Sequence, residues 1–363
     1  MTTDPATQRG SAVEPRLLPP NSIEHQYRGG DLIAALRGGP GGPNRPEEWL
    51  GSATTRFGAE SSGLTVLDGT PLPDIIESDP VSWLGRAHLD RFGPSPALLV
   101  KLLHAGQRLP VHLHPTQAFA SQHLDCPFGK SEAWYVLDRD RSDATVYVGT
   151  NRPVAREEWA ELQADQNSEA MLELLNPVTV DVGDGVFVPA GSPHAIGEGL
   201  LLMELQEPTD FSILLEWEGF EFDGPRDGHL NLGFDVALGA INPNPFDQGQ
   251  LVALLQRTTA RIDTGRVTAA LPAAGNPYFE LLKANPNSTA EVMLPQSFGV
   301  LLVIDGQGEW SSPHNPSTTQ PISRGDAYVV PHCSGPLRLS GTMTALFAVP
   351  PQPDTPPPVE FDS

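Results

Sequence analysis

Apolar residues of this chain fall mainly in short runs rather than in long helical stripes. Residues 97–103 (Ala-Leu-Leu-Val-Lys-Leu-Leu) and 133–137 (Ala-Trp-Tyr-Val-Leu) are near-continuous apolar stretches of strand length, and His112 and His114 alternate at strand period between them. This is a dense β region. Helical patterning interrupts it in three places. It is intermittent over 72–91, around Ile75-Ile76 and Trp83-Leu84. Over 156–175, a stretch rich in Glu, Ala, Leu and Gln, it is compatible with one or two helices inserted into the β fold. Residues 251–256 read most simply as one short helix. A Gly- and Pro-rich run over 38–46 predicts a loop, the polar residues up to about 20 predict a loose arm, and the proline-rich acidic residues after 350 predict a disordered or strap-like tail.

Two blocks resemble each other. Val182-Gly183-Asp184-Gly185-Val186-Phe187-Val188-Pro189 and Ser323-Arg324-Gly325-Asp326-Ala327-Tyr328-Val329-Val330-Pro331 each place a Gly-Asp turn before an apolar strand that ends in proline. Glycine admits the unusual backbone angles of a turn, and proline closes a strand it cannot continue. A block used twice implies two related barrels. The expected fold is mainly β, two jelly-roll β-barrels with helical insertions. Its expected layout is an arm over 1–20, a first barrel over 21–235, a helical connection over 236–270, a second barrel over 271–350 and the tail over 351–363.

Charge narrows the function. With 45 acidic against 22 basic residues the formal net charge is -23, which opposes binding to nucleic acid or to an anionic membrane. Only Lys101, Lys130 and Lys283 supply lysine, so a phosphate ligand would need a local pocket. Cys126 and Cys333 have neither metal nor redox spacing and suit a reducing cytosol. No apolar signal core opens the chain and no run approaches the roughly 20 apolar residues of a membrane span. A soluble, cytoplasmic monomer or homodimer acting on a small molecule is the expectation.

The chemistry concentrates in three segments. In Leu109-Pro110-Val111-His112-Leu113-His114-Pro115 both imidazoles leave one face of a strand. Glu132 opens the next strand, in Gly129-Lys130-Ser131-Glu132-Ala133-Trp134-Tyr135, and His194 closes the turn Pro189-Ala190-Gly191-Ser192-Pro193-His194. Strands of one small barrel can bring His112, His114, Glu132 and His194 to one divalent metal; Zn2+ heads the candidates, and Mn2+, Fe2+ and Co2+ tolerate the same donors. The remaining histidines lack comparable spacing. In the second block the position of His194 is Pro336 and His332 falls in the preceding loop, so that copy reads as structural and metal-free.

These motifs resemble the class I mannose-6-phosphate isomerases, metal-dependent proteins of the cupin superfamily, over about 20–350. The family's Val-Gln-x-His-Pro strand is similar to Val111 through Pro115, its Gly-Lys-Thr-Glu-x-Trp-Tyr strand to Gly129 through Tyr135, and its Pro-x-Gly-x-x-His-Ala turn to Pro189 through Ala195. Tyr27-Arg28-Gly29-Gly30 and Glu48-Trp49-Leu50-Gly51-Ser52 resemble two further family segments. The resemblance implies cupin-type barrels, one metal on His112, His114, Glu132 and His194, and interconversion of mannose 6-phosphate and fructose 6-phosphate through a cis-enediol. It implies Glu204 as acid or base. Lys130, two residues before Glu132 on the same strand face, is expected in the same cavity, and Trp49 and Trp134 are either pocket walls or simply core. Two departures stand out. His112 replaces a family glutamine, one neutral ligand for another. Leu214 replaces an arginine ten residues after the glutamate, and Arg226 in the following loop is the candidate substitute. That second departure leaves open a different sugar, phosphorylated or not, or sugar binding without turnover.

Overall fold

The computed structural model describes residues 14–39, 41–258, 265–314 and 318–358; the rest of the expected arm, connection and tail lies outside the described residues. Among the described residues the fold is mainly β, in antiparallel sheets with short helical insertions. A seven-stranded sheet runs in the order Leu255–Gln256, Gly185–Val188, Glu132–Arg139, Leu200–Gln206, Leu99–His104, Glu47–Leu50, Ser22–Ile23. A five-stranded sheet runs Leu175–Thr179, Thr145–Thr150, His194–Ile196, His112–Leu113, Ile213–Leu214. An eight-stranded sheet gathers the C-terminal strands around the long pair Gly299–Ser311 and Arg338–Val349.

The apolar runs of the seven-stranded sheet have a physical cause. Leu99–His104 and Leu200–Gln206 are buried at every position. One core cluster joins Val100, Leu102 and Leu202 both to Val146 and Ile196 of the five-stranded sheet and to Val300, Leu302, Val329 and Leu346 of the eight-stranded one. A sheet covered on both faces needs no polar alternation. The five-stranded sheet is backed by the insertion at 156–175, which forms two helices, Arg156–Ala164 and Ser168–Glu173. Asn167 caps the second by accepting from the Ala170 N–H, and Trp159 and Met171 pack with Val111, Leu113, Ala195 and Ile213. The segment 72–91 forms three short helices, Leu72–Ser78, Pro80–Leu84 and Arg86–Phe92.

The related blocks fold alike. Gly183 and Gly325 sit at φ 91 and 94, angles that favour glycine. Asp184 accepts from the Asp181 N–H (3.1 Å) and Asp326 from the Ser323 N–H (2.7 Å), so each aspartate locks its turn before a fully buried strand.

Two expectations need correction. The helix near 251–256 is Gln248–Ala253 and stops there, because Leu255–Gln256 pairs with Gly185 and Val186 as an edge strand, whose hydrogen bonds replace those of a further turn. Residues 14–20 are not loose: Arg16–Leu17 pairs with Tyr328 and Val329, the Leu18 N–H donates to the Ala327 carbonyl, and the Leu18 side chain is buried. At the other end, Arg91 donates to the carbonyls of Gln352, Pro353 and Thr355. No described helix is long and apolar enough to cross a membrane.

Candidate metal centre

The three histidines meet because their strands are neighbours. His194 lies directly opposite His112 in the five-stranded sheet, and the Gly191 N–H donates to the His114 carbonyl (2.7 Å), tying the His194 turn to the His112 strand. Their ligating atoms lie within 4.8 Å of one another, all buried. Glu132 comes from the seven-stranded sheet, with Oε2 3.0 Å from His114 Nε2 and Oε1 3.3 Å from His194 Nε2. Each ring is oriented from behind. His112 Nδ1 bonds the Pro110 carbonyl (2.8 Å), His114 Nδ1 that of Phe211 (2.7 Å) and His194 Nδ1 that of Ser192 (2.8 Å). A carbonyl only accepts, so each Nδ1 carries a proton and each Nε2 is the atom turned towards the cluster.

Electrostatics agree with that tautomer. Burial, then the Lys130 charge, pushes His114 down to about 3, and burial with the two neighbouring imidazoles holds His112 well below its ordinary value. Burial alone would raise Glu132, but His114 and Lys130 outweigh it and hold the carboxyl well below the usual range. Three imidazoles and one carboxylate thus converge, and among the described residues His194 Nε2 and Glu132 Oε2 have no hydrogen-bond partner. Buried unpartnered acceptors are costly, and a divalent cation is the group that fits this set. Behind Glu132, buried Glu207 straps the strand by accepting from the N–H groups of Gly129 (3.2 Å) and Ser131 (2.8 Å).

Beside this cluster lies a 440 Å³ cavity lined by Glu132, Lys130, Glu204, Lys101, Glu47 and Asp210, among others. Lys130 Nζ is 2.9 Å from His114 Nε2 and 3.4 Å from Glu132 Oε2. Glu204 faces Lys101 across two paired strands. The Lys101 ammonium sits 3.8 Å from Glu204, 3.5 Å from Glu47 and 3.6 Å from Asp210, and 4.7 Å from the Trp49 ring centre. Burial opposes its charge, yet these carboxylates raise its pKa above the ordinary value. Burial, then the Glu132 charge, pushes Glu204 up to about 8 against the pull of Lys101 and Lys130.

No family model matches the chain. It is 29% identical over 295 residues to a mannose-6-phosphate isomerase of Bacillus subtilis (strain 168), covering 78% of this chain and 85% of that one. A putative mannose-6-phosphate isomerase of the same organism is 27% identical over 266 residues, covering 73% and 77%. This chain is a homologue of the mannose-6-phosphate isomerases. Its fold is theirs as well. The crystal structure of the Bacillus subtilis mannose 6-phosphate isomerase superposes with a TM-score of 0.70 at 23% identity, over 93% of this chain and 99% of that one. The apo form of the Salmonella typhimurium enzyme gives 0.69 at 16% identity, over 94% and 100%.

Within this mannose-6-phosphate isomerase homologue, His112, His114, Glu132, His194, Lys130 and Glu204 come together as the sequence reading placed them. Arg226 does not. Its side chain is 72% exposed, its guanidinium is gripped by Asp227 through two 2.7 Å hydrogen bonds with Asp223 at 3.5 Å, and it is not among the cavity-lining residues. Leu214 does line the cavity, opposite His112. Trp49 and Trp134 are fully buried behind the cavity rather than walls of it. Each donates its indole N–H to the glutamate two residues earlier, Glu47 (2.7 Å) and Glu132 (3.1 Å). Lys101, Glu47 and Arg56, which also line the cavity, were not among the expected site residues. The available clue to Lys101 was a cation inside an otherwise apolar run, which is tolerated only with buried partners.

Proposed function

We propose that this protein is a metal-dependent isomerase that interconverts mannose 6-phosphate and fructose 6-phosphate, with His112, His114, Glu132 and His194 holding one divalent ion, Zn2+ first among the candidates. The observation that carries the proposal is the convergence of three buried imidazoles and a carboxylate beside a buried carboxyl, Glu204, whose pKa is pushed up to about 8. When bound, such an ion supplies positive charge that polarises substrate oxygens. Everything else falls to the chain. Glu204 removes the proton from one of the two adjacent carbons and returns it to the other, a transfer for which a pKa of about 8 lets one group both take and give. Lys101 sits where it stabilises Glu204 whenever that carboxyl is ionised, and Glu47 and Asp210 keep Lys101 charged and fixed. Lys130 presents an ammonium to the same cavity, suited to the oxygen on which charge develops.

The proposal assigns the activity to residues 21–235 and a structural role to 271–350. In its support, all seven buried carboxylates among the described residues lie between Glu47 and Glu216. A cytoplasmic location belongs to the same proposal and is supported by the two free cysteines. The test is turnover of mannose 6-phosphate by protein stripped with chelator and then reloaded with Zn2+, Mn2+ or Co2+. Activity is expected to vanish on stripping and return on loading, and protein that stays inactive with every ion would falsify the isomerase reading.

A further inference from the structure

Among the described residues, charge around the cavity is paired off with one exception. Lys101 is ringed by three carboxylates, and Lys130 is matched by Glu132. The third Lys or Arg side chain lining the cavity is Arg56, which forms no ion pair among the described residues. Its Nη1 donates to the Glu24 carbonyl (3.2 Å), while its Nε is buried with no hydrogen-bond partner among the described residues. A guanidinium left with a buried, unused donor inside a ligand cavity is costly unless an anion completes it.

The backbone beneath Arg56 is held firmly. Its N–H donates to the Ser62 carbonyl (2.8 Å) and its own carbonyl accepts from the Ala59 N–H (3.0 Å). The next residue is pinned to the reacting side, since the Phe57 N–H donates to Asp210 Oδ2 (3.1 Å) and the Phe57 ring meets Phe211 edge-on, with centroids 5.8 Å apart. Asp210 in turn contacts Lys101. The turn at 56–59 therefore fixes a cation in the cavity relative to Glu204, from an element distant in sequence from Leu214 and Arg226.

We propose that Arg56 is the phosphate-binding residue of this site, gripping the 6-phosphate of the substrate through its unpaired guanidinium. The proposal rests on the sugar-phosphate reading above and names the residue that meets the phosphate. Arginine suits the task because its planar fork binds two phosphate oxygens at once.

Calorimetric titration of metal-loaded wild type, Arg56→Gln and Arg56→Lys with glucitol 6-phosphate, which cannot isomerise, and with glucitol reads the phosphate contact without turnover. Arg56→Gln should weaken glucitol 6-phosphate by roughly 10- to 100-fold and leave metal content and glucitol binding unchanged. Arg56→Lys should recover part of the loss. With mannose 6-phosphate the defect should fall mainly on KM, because a contact remote from the reacting carbons is kept in ground and transition states alike. The assignment is overturned by an Arg56→Gln affinity for glucitol 6-phosphate within about twofold of wild type, or by a wild type that binds it no better than glucitol. Wild type that binds glucitol 6-phosphate through Arg56 yet isomerises no sugar phosphate sinks the isomerase reading and upholds this one.

Discussion

The turn at 181–184 and the turn at 323–326 are near copies, yet they serve opposite interiors. Both use a glycine at φ above 90 and an aspartate that accepts the N–H three residues back, and both launch a buried four-residue strand that ends at proline. Beyond the proline they diverge. After Pro189 the chain bends through Gly191 onto the His114 carbonyl and delivers His194. After Pro331 it makes a 3-10 turn, His332–Ser334, and no metal-ligating cluster forms among the described residues there. One sandwich encloses two lysines and several carboxylates; the C-terminal sheet encloses Leu294, Leu301, Val303, Ile322, Leu339 and Phe347. The turn builds the scaffold, and the few residues after the proline decide whether chemistry is installed on it.

The sharpest way to break this comparison is to remove ligands from one copy and the nearest histidine from the other. The His114→Ala, Glu132→Ala double variant should lose nearly all bound metal and turnover, while His332→Ala should keep both, as elemental analysis and a coupled assay would register. Stoichiometric metal in the double variant would dismiss the site. Next in size, Glu204→Gln should retain metal but slow isomerisation by about 10² to 10⁴, with matching loss of solvent exchange at C2 of the substrate; undiminished exchange would clear Glu204 of the role. In the apolar copy, Phe347→Ala should cost about 3–5 kcal/mol of stability in urea unfolding while metal per folded chain is unchanged. Among the turns, Asp184→Ala should cost about 1–3 kcal/mol and Asp326→Ala about 1 kcal/mol, since Asp184 also holds Arg257 and the Thr258 N–H.

The smallest effect is one of pH. Burial would raise Glu216, but Arg108 outweighs it and holds the carboxyl below its ordinary value. A lowered folded-state pKa stabilises above the ordinary carboxylate range and is lost as pH falls through it. Glu216→Gln should therefore be less stable than wild type near neutrality, with the gap closing on acidification. A gap independent of pH would refute the pairing.

What the sequence revealed was local. His112 and His114 two residues apart, Glu132 at a strand start and His194 at a turn are legible because strand period and turn chemistry act over a few residues. Lys101, Glu47 and Asp210 meet only through sheet pairing and loop packing between distant segments, so no spacing announces them. Arg226 shows the converse. Nearness in sequence to the site counted for less than Asp223 and Asp227, which reach the guanidinium first. The helix end at Ala253 was likewise set by an available sheet edge rather than by the local pattern.

The pairing of Arg16–Leu17 with Tyr328 and Val329 has a consequence for how the chain is made. On a ribosome the earliest described strand emerges more than three hundred residues before its partner, while Ser22–Ile23 needs only the strand Glu47–Leu50 to dock. Loop closure over that distance comes late, so the first strand waits, unpaired, beside an otherwise assembled sandwich. A chain nicked between 258 and 265 would leave that strand on the larger piece, able to recapture the smaller one by completing its sheet. Fragments made separately should reassemble on mixing, and deleting residues 14–18 should weaken the reunion, which the core shared with Val300, Leu302 and Leu346 still favours.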